Sequence, residues 1–252
     1  MKRLVDLLRI NEVRFTAIVL SVMTIGAVIS LRGNLMSGGA VPCMYDIYLV
    51  GVMHVVSTFC VPFALFYILF VERYNQRPMQ VIREGRVINV WKRSVVDLFI
   101  LTVFFTLYVF ILTTIAGLVL TDRFYNWNEL NSRCMAWSGR VCEEQPSFVL
   151  LLISYIVETF ETFLAAGIIM LGVWWGTNKE WAGYLASIAL ITVDKAGVCD
   201  GIIFSKYYIA GATYKKGLSI SNNVIYPLLA AIIVFVLVNV LVIFKKKEFL
   251  GS

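Results

Sequence analysis

This 252-residue sequence contains few of the residues that soluble enzymes depend on. Only 15% of its residues are charged and 60% are hydrophobic, whereas a soluble domain is about 25% charged. One water-soluble core of this length cannot enclose so much apolar surface. The composition excludes a soluble globular protein and a disordered chain, and it predicts an integral membrane protein.

The sequence also lacks the motifs of energy-coupled and hydrolytic enzymes. It has no Gly-Lys dipeptide, so it has no nucleotide-binding phosphate loop. Its single histidine, His54, lies inside an apolar stretch, and neither H-E-x-x-H nor G-x-S-x-G occurs. His54 is interpreted either as a group hydrogen-bonded between helices or as part of an intramembrane serine protease. We expect no catalytic site, metal or cofactor on this chain.

Six apolar stretches are long enough to cross a bilayer, which needs about 17–25 residues per helix. The alternating ten-residue strands of a membrane barrel are absent from the sequence. We therefore predict a single all-α membrane domain covering residues 1–252. The predicted spans are 15–31, 47–71, 95–120, 147–175, 181–199 and 224–244.

The distribution of positive charge predicts the orientation. With the N-terminus inside, fourteen lysines and arginines lie on the cytoplasmic side and eight on the outer side, which places both termini in the cytoplasm. Residues 1–13 alternate apolar and charged side chains and predict an interfacial helix. The basic surplus of +6 is thus explained by topology, and we expect no nucleic-acid partner.

The predicted cytoplasmic loop at 72–94 combines arginines with an apolar stripe. Pro78 suits the start of a short helix, and apolar residues from Met79 to Trp91 supply one face. Such a helix can dock in a groove on a partner protein. It can equally lie on anionic lipid, anchored by Trp91. The residues alone leave both interpretations open.

The layout resembles the permease subunits of ABC-2 type exporters, particularly small members from Firmicutes. The segments 78–86 and 91–93 are similar to the first cytoplasmic loop of that family, and the basic ending at 242–250 is similar to its last helix. The outer segment 194–223 is similar to its short re-entrant helices. The resemblance implies a bacterial cytoplasmic membrane, two copies of a separate ATPase that binds ATP and Mg, and a second permease copy or paralogue. It also implies an ATPase-coupling contact at Arg83, Glu84, Arg86 and Trp91.

Two carboxyl groups lie near the middle of the fourth predicted span. Glu158 and Glu161 are three residues apart and therefore share one helix face. Charged groups in hydrocarbon are costly and normally face protein or water. With His54, they are candidates for a substrate pathway that senses a cationic or amphipathic molecule. The alternative is that they are protonated or hydrogen-bonded groups needed only for assembly.

Four of the five cysteines map to the outer side, where disulfides form. Cys134 and Cys142 share one loop and are the first candidate pair, which leaves Cys43 with Cys199, although four cysteines allow three connectivities. A zinc site is the alternative. The loop also carries Phe124, Tyr125, Trp127 and Trp137, which suit an interfacial aromatic belt or a peptide-binding lid.

Two functions follow as hypotheses. The first is the membrane subunit of an ATP-driven exporter that moves an amphipathic compound, such as a peptide or antimicrobial, by alternating access. The second is a membrane sensor or immunity protein that binds a peptide with its outer loops and transports nothing.

Overall fold

A computed structural model describes most of the chain. The described residues are 15, 18–27, 29, 39–50, 56, 58–77, 81, 82, 84, 86–139, 141, 142, 145–195 and 218–244. The predicted interfacial helix at 1–13 lies outside them, as do His54, Arg83 and Cys199.

The described part of the chain is built from helices, which confirms the predicted all-α class. Three helices are long and apolar enough to cross a membrane: Val87–Leu120, Phe148–Thr177 and the continuous segment Ser221–Phe244. Among the described residues, the β-type pairing is an isolated bridge between Val41 and Ser132. The helices are α1 (Ile18–Ala27), α2 (Met44–Val50), α3 (Val61–Asn75), α4 (Val87–Leu120), α5 (Arg133–Ser138), α6 (Phe148–Thr177), α7 (Glu180–Lys195) and α8 (Tyr226–Phe244), the last preceded by a π-helical turn at Ser221–Ile225.

Local sequence explains where the long helices begin and end. The hydroxyl of Ser147 accepts a hydrogen bond from the backbone N–H of Leu150 and caps the start of α6. Asn178 ends α6 in the left-handed conformation, with φ of 58°, and its N–H donates to the carbonyl of Trp174. At Arg86 the backbone is extended, so α4 starts at Val87, earlier than the predicted span at 95–120.

Helix α6 lies at the centre of the bundle. It contacts α2, α3, α4, α7 and α8. Trp91 of α4 packs against Trp175 near the end of α6, whereas Thr113 of α4 bonds to Tyr155 near its beginning, so these two helices are antiparallel. Burial follows this arrangement, because most of α6 is enclosed while much of α8 presents apolar side chains outward.

Glycine allows α7 to approach α6 closely. A side chain at Gly183 would overlap the backbone carbonyl of Met170 on α6. Four residues along α7, the hydroxyl of Ser187 donates to the carbonyl of Ala166 at 2.9 Å. Small residues that let two backbones meet are typical of helix packing in membranes. The contact fixes the register of α7 on α6.

We predict that Gly183→Ala destabilises the bundle, because the added methyl group meets rigid backbone rather than a movable side chain. The expected cost is about 1–3 kcal/mol, the usual range for overpacking. Gly26→Ala on α1 is the matched control, since no atom lies within 4 Å of a side chain placed there. Thermal unfolding in detergent measures both. An unchanged melting temperature for Gly183→Ala contradicts the close α6–α7 contact.

Candidate functional site

A network of buried polar and aromatic groups joins four helices at one end of the bundle, which we call the Trp91 end. The indole N–H of Trp91 on α4 donates to Asn239 Oδ1 on α8 at 2.9 Å. Its ring packs edge-on against Trp175 on α6, with centroids 5.0 Å apart. The Trp175 indole donates to Glu72 Oε1 on α3 at 3.0 Å, and Gln76 donates to the same oxygen at 2.7 Å. The network therefore connects α3, α4, α6 and α8.

The predicted docking segment is not one helix from Pro78 to Trp91. Residues 81, 82 and 84 are helical, but Arg86 has φ of −136° and ψ of 138°, which interrupts the helix before α4 begins. The apolar residues Val90 and Trp91 consequently belong to α4 and are buried in the bundle. Only the part before Arg86 remains available as a separate surface element.

The four predicted coupling residues have different environments. Arg86 is exposed at the start of α4, and Arg83 lies outside the described residues. Glu84 Oε1 accepts a hydrogen bond from Arg93 at 2.8 Å, and its backbone carbonyl accepts one from Asn89 at 3.0 Å. Trp91 is 2% exposed, so it cannot touch a partner directly. Its contacts suit it to holding the helix rather than to forming the docking surface.

The predicted pathway carboxyl groups lie inside the bundle. Glu158 and Glu161 are each 2% exposed. Glu161 Oε2 accepts a long hydrogen bond, 3.4 Å, from the hydroxyl of Thr162, while Oε1 has no partner among the described residues. Asp194 of α7 is 5% exposed and close enough to Glu161 to interact electrostatically. Two buried acidic groups thus lie on neighbouring parts of α6 and α7, and His54 lies outside the described residues.

Unpaired hydroxyl groups accompany these carboxyl groups. The side-chain oxygens of Thr102 and Thr106 on α4, and of Ser154 on α6, are buried and have no partner among the described residues. Ring contact between Phe105 and Phe163 places this part of α4 against the middle of α6. The centre of the bundle is therefore more polar than the apolar outer faces of α4 and α8.

A compact cap closes the other end of the bundle. Asp46, fully buried, accepts hydrogen bonds from the backbone N–H of Cys43 and from the indole N–H of Trp127, both at 2.9 Å. Tyr45 packs edge-on against Trp127, with centroids 5.6 Å apart. Because Trp127 is fully buried, its predicted place in an interfacial belt is wrong. Phe124 is 51% exposed and remains at the surface.

The cap also holds Cys43, Cys134 and Cys142, three of the four cysteines that are predicted to lie on the outer side. No disulfide joins Cys43, Cys60, Cys134 or Cys142, which are the cysteines that the structure describes. Burial raises the pKa of the Tyr125 hydroxyl, and the nearby thiols of Cys142 and Cys134 raise this pKa further. Both thiols therefore lie beside one phenol group. The Cys134–Cys142 pair stays a prediction, and the Cys43–Cys199 pair involves a residue outside the description.

Sequence reasoning identified only Trp91 in the Trp91-end network and missed its other members, Glu72, Gln76, Trp175 and Asn239. Glu72 follows directly after the predicted second span, where a charged residue is ordinary, and nothing nearby identifies Trp175 as its partner. Asn239 is the one polar residue within the apolar run of α8. This isolated polar position is the sequence feature that could have identified Asn239 as a hydrogen-bonding residue. Within the described ranges, no group of three histidine, cysteine or acidic side chains is placed to hold a metal ion.

Comparison with protein-family models, with curated proteins and with solved structures finds no match to this chain.

We predict that Cys43 resists alkylation while Cys142 reacts. Burial, together with the negative charge of Asp46, raises the pKa of the Cys43 thiol, so the reactive thiolate is scarcer than for an ordinary cysteine at pH 8. Cys142 is only half-buried. Iodoacetamide labelling of the folded protein, read by peptide mass spectrometry, measures both rates. Equal labelling of the two thiols would show that the cap is not closed around Asp46.

Proposed function

We propose that this chain is the membrane-spanning subunit of an ATP-driven exporter of the ABC-2 type, with six spans and both termini in the bacterial cytoplasm. The observation that carries the proposal is the pair of buried carboxyl groups, Glu158 and Glu161, in the middle of the central helix. Intramembrane acidic groups are costly, and they commonly mark the route of a substrate or ion. The exposed apolar helix faces supply the surrounding membrane surface.

Helix directions support the six-span topology. Helix α6 runs antiparallel to α4, as the contacts Trp91–Trp175 and Thr113–Tyr155 show. It also runs antiparallel to α7, because Gly183 lies near Met170 while Asp194 lies near Glu161. Consecutive segments that reverse direction are what successive membrane crossings require. The excess of lysine and arginine supports a cytoplasmic location for the Trp91 end.

The Trp91 end supplies a means of coupling to a separate ATPase. In the proposed complex, the segment around Arg83, Glu84 and Arg86 contacts one of two ATPase copies, which bind the ATP and Mg. The Glu84–Arg93 ion pair holds this segment against α4. Trp91 then links α4 to α6 and α8. A displacement of this segment can therefore move α4, α6 and α8 together. Such joint movement of helices is what a rigid-body conformational change requires.

The substrate class follows from the acidic centre. Glu158 and Glu161 favour an amphipathic molecule that carries positive charge, such as a basic peptide or antimicrobial. The apolar faces of α4 and α8 leave room for a second permease copy or paralogue, which would complete the pathway. Alternating exposure of the carboxyl groups to the two sides of the membrane is the proposed transport step.

We predict that replacing Glu158 and Glu161 together by glutamine impairs export without disrupting assembly, because the amide keeps the shape of the carboxyl group but cannot ionise. Uptake of a basic fluorescent peptide by inside-out vesicles, prepared from cells with the native partners, measures transport. Glu129→Gln is the control, since Glu129 forms an exposed ion pair in the cap. Size-exclusion chromatography checks assembly. Undiminished uptake, or loss of the folded complex, would contradict the pathway role.

A further inference from the structure

An apolar groove runs between α6 and α8 near the Trp91 end. It encloses a cavity of about 220 Å³. Its walls include Ile169, Val173 and Gly176 on α6 and Val238, Leu241 and Val242 on α8. The cavity is larger than the roughly 150 Å³ that is sufficient for an apolar site to stay dry and accept a small hydrocarbon. A molecule that fits this cavity is therefore expected to be apolar.

Two glycines on α6 explain how the groove forms. At Gly172 the helices touch, since a side chain there would overlap Val238. One turn later, Gly176 again contributes no side chain to the wall. Trp175 also lines the groove, but its indole N–H is bonded to Glu72 and offers no donor to an occupant. The gap is thus a consequence of sequence, because two larger side chains would fill it.

The groove is short enough to lie within one membrane leaflet. From Ile169 to Gly176 the helix rises by about 10 Å, at 1.5 Å per residue. One leaflet of the hydrocarbon core is about 15 Å thick. Helix α6 ends at Thr177, directly after Gly176, and the polar residues Asn178 and Lys179 follow, so we expect this end of the groove to lie near the lipid headgroups.

The sequence is basic at the end of the groove where α6 ends. Lys179 follows Gly176 by three residues and is exposed, and no ion pair of Lys179 occurs within the described ranges. In the sequence, Lys245, Lys246 and Lys247 follow directly after the described end of α8. Basic residues beside a membrane helix attract anionic lipid headgroups. A cationic substrate would be repelled here, unlike at the acidic centre of the bundle.

We propose that this groove binds one acyl chain of an anionic phospholipid, with the headgroup phosphate at Lys179. The apolar wall accommodates the chain and the lysine complements the phosphate charge. A helix of a second copy fits less well, because it would have to bring an acidic group to Lys179 as well as fill the cavity. The site is separate from the carboxyl groups of the proposed transport pathway, so it does not depend on that proposal.

Native mass spectrometry of the full chain in detergent tests the site. After delipidation, the protein is mixed with phosphatidylglycerol or with phosphatidylcholine of identical acyl chains. We expect one phosphatidylglycerol to be retained in preference to phosphatidylcholine. Val242→Trp fills the groove and abolishes that retention. Lys179→Gln lowers the preference about fivefold, as expected for one lysine at an anionic surface.

Val240→Trp is the matched control, because Val240 lies on the same helix, is 42% exposed and does not line the groove. It should retain the lipid as the unchanged protein does. Ile169→Phe fills the groove from the α6 side and replaces Val242→Trp if that variant does not fold. Equal retention of the two lipids overturns the proposal. So does unchanged retention of phosphatidylglycerol by the groove-filling variants.

Discussion

The central constraint on this molecule is that α6 carries buried acidic and hydroxyl groups through a predominantly apolar bundle. A helix with Glu158 and Glu161 in its middle cannot present them to hydrocarbon without a cost of several kcal/mol. Other helices must therefore surround it. The contacts of α6 with α2, α3, α4, α7 and α8 meet that requirement, while the mostly apolar α8 exposes much of its surface.

The two ends of α6 are secured in different ways, which suits different roles. At the Trp91 end, single hydrogen bonds and ring contacts link four helices, so a displacement of α4 is transmitted to α6 and α8. At the cap end, Asp46 and a cluster of aromatic rings form a closed unit. Between these ends lie the acidic groups of α6 and α7. Helix packing alone does not explain why buried carboxyl groups are present there.

Hydropathy was sufficient to predict α4, α6 and α8, because each helix contains a long apolar run. Such a run can be recognised without knowing which helices pack against it. It could not place Trp91, which precedes Lys92 and Arg93 and therefore looks like an interfacial anchor. Its partner Asn239 is 148 positions away. The prediction that Trp127 lies in an interfacial belt was wrong for the same reason, since its partner Asp46 is 81 positions away. Pairs so distant in sequence arise from tertiary packing and leave no local periodicity.

The most direct test of the transport account is whether the chain, purified from its own membranes in mild detergent, carries an ATPase whose activity it stimulates. The account predicts that the ATPase co-purifies and that combining Arg83→Glu with Arg86→Glu abolishes stimulation, because the proposed coupling contact depends on these two positive charges. Lys92→Glu, an exposed lysine on α4, should preserve it. A chain that purifies without an ATPase, or stimulation unchanged by the double reversal, would contradict the account.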